Sequence, residues 1–108
     1  MPFWSHTATI NAITSINNGR VTFAGSVIGN PGTSHIVVDM ILDRINPNGT
    51  RTQMTRINNI RQEGNVWAME RHHNVARGHY YQHTMVVRVT RNGSTETIVF
   101  PGPIRFAH

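Results

Sequence analysis

The sequence predicts an all-β domain: seven antiparallel strands packed as a two-sheet sandwich. Three observations predict it. Apolar and polar residues alternate at a period of two in segment after segment, the signature of strands with one face buried. Glycine, asparagine and proline gather at intervals that cut these segments apart, with Asn18-Gly19 and Asn92-Gly93 as the strongest hairpin signals. No segment carries the three-to-four spacing needed for a helix of three turns.

The first strand is Thr7 to Asn17, alternating Ala8, Ile10, Ala12, Thr14 and Ile16 against Thr9, Asn11, Ile13 and Ser15. After the Asn18-Gly19 turn, Arg20 to Ile28 places Val21, Phe23, Gly25 and Val27 on one face. Gly29-Asn-Pro-Gly-Thr33 breaks it, and Ser34 to Ile45 follows with Ile36, Val38, Met40 and Leu42 on one side. Asn46-Pro-Asn-Gly49 then closes a hairpin to Thr50–Ile60, polar enough to be an edge. Past the Arg61-Gln-Glu-Gly64 turn, Asn65 to Val75 carries Trp67, Met69, Arg71, His73 and Val75 on the face expected to point inward. Ala76-Arg-Gly78 leads into His79–Val89, the most β-like run of the chain and the expected central strand, with Tyr81, His83, Met85, Val87 and Val89 inward. Ser94 to Phe100 closes the domain. The prolines at 101 and 103 predict that 101–108 is a tail, as 1–6 is an aromatic leader to a domain spanning 7–100. Three tight hairpins, with sheet crossings after the second and fifth strands, suit an immunoglobulin-like sandwich. Gly78-His79-Tyr80-Tyr81 is placed where such folds bond a tyrosine hydroxyl back to the backbone.

Composition narrows the function. A chain of 108 residues is one domain. No apolar run approaches the ~18 residues of a membrane helix, and the opening residues lack the basic start and apolar stretch of a signal peptide. With no cysteine, disulfides and thiol chemistry are excluded. All ten cationic residues are arginine, where average usage gives roughly five or six lysines. Natural bias and deliberate removal of amines both account for that. The net charge of +5 raises nucleic acid as a partner, but the arginines are spread along the chain with no basic run, so solvated strand faces are the expected reading.

Several segments resemble small secreted immunoglobulin-like domains of Gram-positive bacteria, most of them of unknown function. They are the aromatic-Trp-Ser start, Asn18-Gly19 through Val27, Gly32-Thr-Ser-His-Ile36, Gly78-x-Tyr-Tyr81 and Val87 through Ile98. The resemblance covers about residues 3 to 99. It implies a sandwich exported or displayed at the cell surface and brings no catalytic residues. Arginine or histidine stands where such domains carry lysine, and His83 and Met69 replace aliphatic or aromatic residues, departures that an engineered scaffold would also show.

Seven histidines, with His72, His73, His79 and His83 inside twelve positions, invite a metal reading. His79 and His83 stand ~13 Å apart along one strand face, too far to share an ion, and His72 and His73 point to opposite faces. A site would need a cross-strand pair such as His73 with His83, so no metal or other cofactor is expected. An inward His83 would be desolvated and neutral, a candidate catalytic base, with Trp67, Met69, Arg71, His73, Tyr81 and Gln82 as candidate ligand-binding neighbours. Against that stand a plain buried histidine, or a bulge near residue 82 that turns it outward.

Three functions remain open. One is a binding module presenting the loops Gly29–Thr33, Asn46–Gly49 and Asn92–Ser94 to a protein or small molecule. The second is an engineered enzyme or ligand binder built around His83. The third is a structural subunit associating through edge strands and the Pro2-Phe3-Trp4 segment.

Overall fold

A computed structural model describes residues 4–108; Pro2 and Phe3 of the aromatic segment lie outside the described residues. The strands are β1 (Thr7–Asn17), β2 (Arg20–Gly29), β3 (Thr33–Ile45), β4 (Arg51–Glu63), β5 (Val66–Asn74), β6 (Tyr80–Arg91) and β7 (Ser94–Phe106). They form a three-stranded sheet of order β1-β2-β5 and a four-stranded sheet of order β4-β3-β6-β7, antiparallel throughout. Among the described residues there is no helix.

The two Asn-Gly turns do what their chemistry allows. Asn18 and Gly19 have φ of 51° and 73°, and Asn92 and Gly93 have 52° and 78°. Two consecutive left-handed residues make the turn whose twist matches the flanking strands. Between the sheets, Val21, Phe23, Val27, Ile36, Val38, Met40, Leu42, Trp67, Tyr81, Met85, Val87 and Val89 are all fully buried, so the faces read as inward from the period-two pattern are inward. β6 lies between β3 and β7, and β4 is an edge.

Four expectations are corrected. β4 runs on to Glu63, because Val37 and His35 still pair with Arg61 and Glu63. The turn contracts to Gly64, whose φ of 88° suits glycine. The chain also crosses between sheets after β4, since β5 pairs with β2. Residues 101–106 are strand rather than tail: Gln82 pairs with Ile104 and Tyr80 with Phe106. Proline ends a strand only where its missing N–H is needed, and β7 is an edge. Lastly, the three loops do not share one surface. Thr33 pairs with Arg91, putting Gly29–Thr33 and Asn92–Ser94 at one pole, while Asn46–Gly49 follows Ile45 at the other. In a molecule 45 Å long and 21–23 Å across, those poles are well separated.

The leader is tied down at the first of these poles. The Glu96 carboxylate accepts from Ser5 N and Oγ, both at 2.7 Å, from His6 N at 3.1 Å and from Thr7 Oγ1 at 3.0 Å. Burial pushes its pKa up, but those donors outweigh it and hold it below the usual carboxylate value. Trp4 packs edge-on against Phe100, with ring centroids 6.3 Å apart.

Candidate functional site

His83 points into the core, as its phase in β6 requires, and is fully buried. The irregularity foreseen near residue 82 exists, but it is absorbed by the partner strand: Gln82 pairs with Ile104 and Thr84 with Pro101, so the extra residue belongs to β7. Gly102 fills the bulge, where a Cβ would stand 2.8 Å from the His83 carbonyl oxygen and 3.1 Å from the Ala12 Cβ. The imidazole lies 5.1 Å from the Phe23 ring, and neither ring nitrogen has a hydrogen-bond partner among the described residues. Burial lowers its pKa to about 4.

The residues expected around it do not enclose a pocket with it. Trp67 and Tyr81 are themselves fully buried, the indole N–H donating to Ile60 O at 3.0 Å and the Tyr81 hydroxyl to Ala76 O at 2.7 Å. Gln82 is spent on Gly102 O at 2.7 Å. Arg71 donates to the Met69 sulfur and to Glu70 O. His73 lies in the other sheet from His83, beside Val21 of β2. A general base must reach the proton it takes, and His83 is fully buried among the described residues. Among the described residues, no three histidine or carboxylate side chains gather as a metal site.

What the fold does gather is charge. The last residues of β1, β3 and β5 and the first of β2, β4 and β6 meet at one pole, with the end of β7. Arg20, Arg44, Arg51, Arg77 and Arg105 all fall there, with His72, His73, His79 and His108. Asp43 is the one acidic side chain at these strand ends, 3.9 Å from Arg51, and burial raises its pKa; Glu70, further along β5, approaches His72 Nε2 at 4.0 Å. Five cations against one anion leave +4 at this pole, out of +5 for the chain. The rest of the sandwich sets Arg56, Arg61, Arg71, Arg88 and Arg91 against Asp39, Glu63, Glu70 and Glu96. An even spread along the sequence therefore becomes a cluster in space, which corrects the expectation of a diffuse basic coat. The signal that would have found it is the antiparallel order: every arginine of the cluster lies within two residues of a turn or strand end on the same side.

Two depressions open at this pole, one on each side of the Val75–His79 connection. One, of about 440 Å³, is lined by Arg20, His72, His73 and Asn74. Thr22 Oγ1 holds the His72 Nδ1 at 2.9 Å, and Arg77 reaches Gly19, where a Cβ would lie 3.9 Å from its Nε. The other, of about 300 Å³, is lined by Ile45, Asn46, Pro47, Gly78, His79 and Tyr80. Beside it stands an aromatic cluster: Tyr80 and Phe106, 51% and 37% exposed, have centroids 4.8 Å apart, and His108 lies 5.0 Å from Phe106. Tyr81 anchors the connection through Ala76, and Arg44 and Arg105 flank it on the neighbouring strands.

No protein-family model matches the chain, and no curated protein matches it. Among solved structures, the alkylpurine DNA glycosylase AlkC of Pseudomonas fluorescens, bound to DNA containing an abasic site analog, is similar over 85% of this chain, at 16% identity and a TM-score of 0.43. The match spans 30% of that enzyme's chain, and a likeness this distant decides nothing about this one.

Proposed function

We propose that the protein is a binding module on an immunoglobulin-like sandwich, and that it engages an anionic ligand at its basic pole. The observation that carries this reading is the concentration of +4 of the +5 net charge at one pole of an elongated molecule. Cations crowded on one surface raise the local concentration of an anionic partner and speed its capture. They also repel one another, so five arginines gathered at one pole are retained at a cost in stability that a bound anion would relieve. The immunoglobulin-like assignment is favoured by the order β1-β2-β5 facing β4-β3-β6-β7, with β4 bonded to β3, and by the Tyr81 hydroxyl bonded five residues upstream. An origin among the secreted domains it resembles is part of the same proposal.

The module reading gains over the enzyme reading from the sealed position of His83, and over the structural-subunit reading from Trp4, which is folded against Phe100. Amide chemical-shift mapping with a heparin oligosaccharide, a generic polyanion, tests it. Shifts centred on Arg20, Arg77, His79 and Arg105 are expected. Shifts centred on the far pole or on the outer sheet faces, or none at millimolar ligand, would overturn the proposal.

A further inference from the structure

We infer that the anion is a single-stranded nucleic acid, bound with its phosphates on the guanidinium groups of the pole and its bases on the exposed rings of Tyr80 and Phe106. This rests on the pole being the binding surface. The geometry that adds the bases is the register at the ends of β3, β6 and β7. Ile45, Tyr80 and Phe106 form one row across the outer face of the four-stranded sheet, and Arg44, Tyr81 and Arg105 form the next row, facing the other side. Adjacent residues of a strand point to opposite faces. A polymer lying over the rim of the sheet therefore meets aromatic rings on one side of it and guanidinium groups on the other. That pairing of a cationic track with aromatic platforms is how unpaired strands are held, since every base has a π face.

The remaining chemistry narrows the class. Every cation at the pole is an arginine, whose planar fork matches a phosphate with two parallel hydrogen bonds. A duplex keeps its bases stacked and out of reach of Tyr80 and Phe106, and among the described residues the pole has no helix to enter a groove. An acidic polysaccharide would need neutral groups for its hydroxyls. Asn46, the amide that lines the depression beside Tyr80, is already committed: its Nδ2 donates to Thr50 and Thr52, and its Oδ1 accepts from Arg44 Nε.

The test compares three probes by competition and fluorescence anisotropy: a twelve-nucleotide oligothymidylate, inorganic polyphosphate and a heparin oligosaccharide. Tyr80→Leu/Phe106→Leu keeps apolar volume at the rim while removing both ring faces. In the parent chain the oligothymidylate should bind, with log K falling against log salt. Arg77→Gln and Arg105→Gln should each flatten that slope by about 0.7. The leucine pair should weaken the oligothymidylate roughly five- to tenfold or more and leave polyphosphate unchanged. Equal effects on the two probes, or heparin bound more tightly than the oligothymidylate, would overturn the nucleic-acid inference and leave the anion-binding pole standing. Failure of all three probes at the pole would overturn both.

Discussion

The imidazole of His83 rests 5.1 Å from the ring of Phe23, between the two sheets, with both of its nitrogens unpartnered among the described residues. A polar ring in that position is tolerated only while neutral, and its pKa of about 4 against an ordinary 6.5 expresses the same fact. The folded state takes up its proton less readily than the unfolded chain, so the unfolded chain binds more protons between those values. Stability is therefore whole above pH ~6.5 and falls as pH drops toward 4, by about 3 kcal/mol in all.

Urea denaturation at pH 7.5 and at pH 5 measures this directly. His83→Leu should flatten the dependence over that range and, by removing two unmet polar atoms, stabilise the protein at neutral pH by about 1–3 kcal/mol. An unchanged slope would place the titrating group elsewhere. Asp39 and Glu96, whose pKa values are lowered, act below the ordinary carboxylate range and do not compete in this window.

Asp39 is a buried carboxylate on the outer face of the four-stranded sheet. Its oxygens accept from Arg88 at 2.8 and 3.2 Å, from Arg56 at 3.3 Å and from the amide of Asn59 at 2.8 Å. The hydrogen bond from Arg88 is the main reason its pKa is lowered. Asn59 is held with φ at 58°, an uncommon conformation that the carboxylate secures. Asp39→Asn should cost about 2 kcal/mol in chemical denaturation, the partial exposure of both arginines keeping the loss below that of a fully buried pair. The charged groups at the basic pole would be untouched, and binding there should survive.

Gly102→Ala tests the bulge that keeps His83 inward. Its Cβ would press on the His83 carbonyl and on Ala12, and backbone cannot swing aside as a flexible side chain can. A loss of about 1–3 kcal/mol is expected, read as a lower denaturation midpoint. A neutral outcome would mean that β7 shifts freely and is not registered by Gly102.

Tyr81→Phe removes the hydroxyl that fixes Ala76 O at 2.7 Å. About 1 kcal/mol of stability should go with it. Because Ala76 lies in the connection carrying Arg77 and His79, polyanion binding should weaken as well. Stability lost with binding intact would show that the connection needs no such anchor.

The strands were legible where one face is buried and the turn chemistry is unambiguous. The alternation of Val21, Phe23 and Val27 and the Asn18-Gly19 and Asn92-Gly93 turns carry nearly all of that information. β7 was missed past Phe100 because proline reads as a stop unless the strand is known to be an edge, which only the pairing reveals. The phase of His83 in β6 is legible from the alternation, yet its accessibility depends on how Phe23 and Gly102 close around it. The basic pole was invisible for a different reason. Arg20 and Arg105 are the first and last arginines of the sequence, and only the strand order brings them to the same pole. Charge clustering is a property of topology, whereas hydrophobic alternation is a property of each strand.

Position of charge rather than amount decides binding at the pole, and two double variants of equal net charge separate these. Arg77→Gln/Arg105→Gln removes two cations from the pole; Arg61→Gln/Arg91→Gln removes two from the far end. Isothermal titration with a heparin oligosaccharide at fixed salt should show at least a tenfold loss of affinity for the first and less than twofold for the second. Equal losses from both would contradict the account, reducing the pole to one part of a uniformly basic surface.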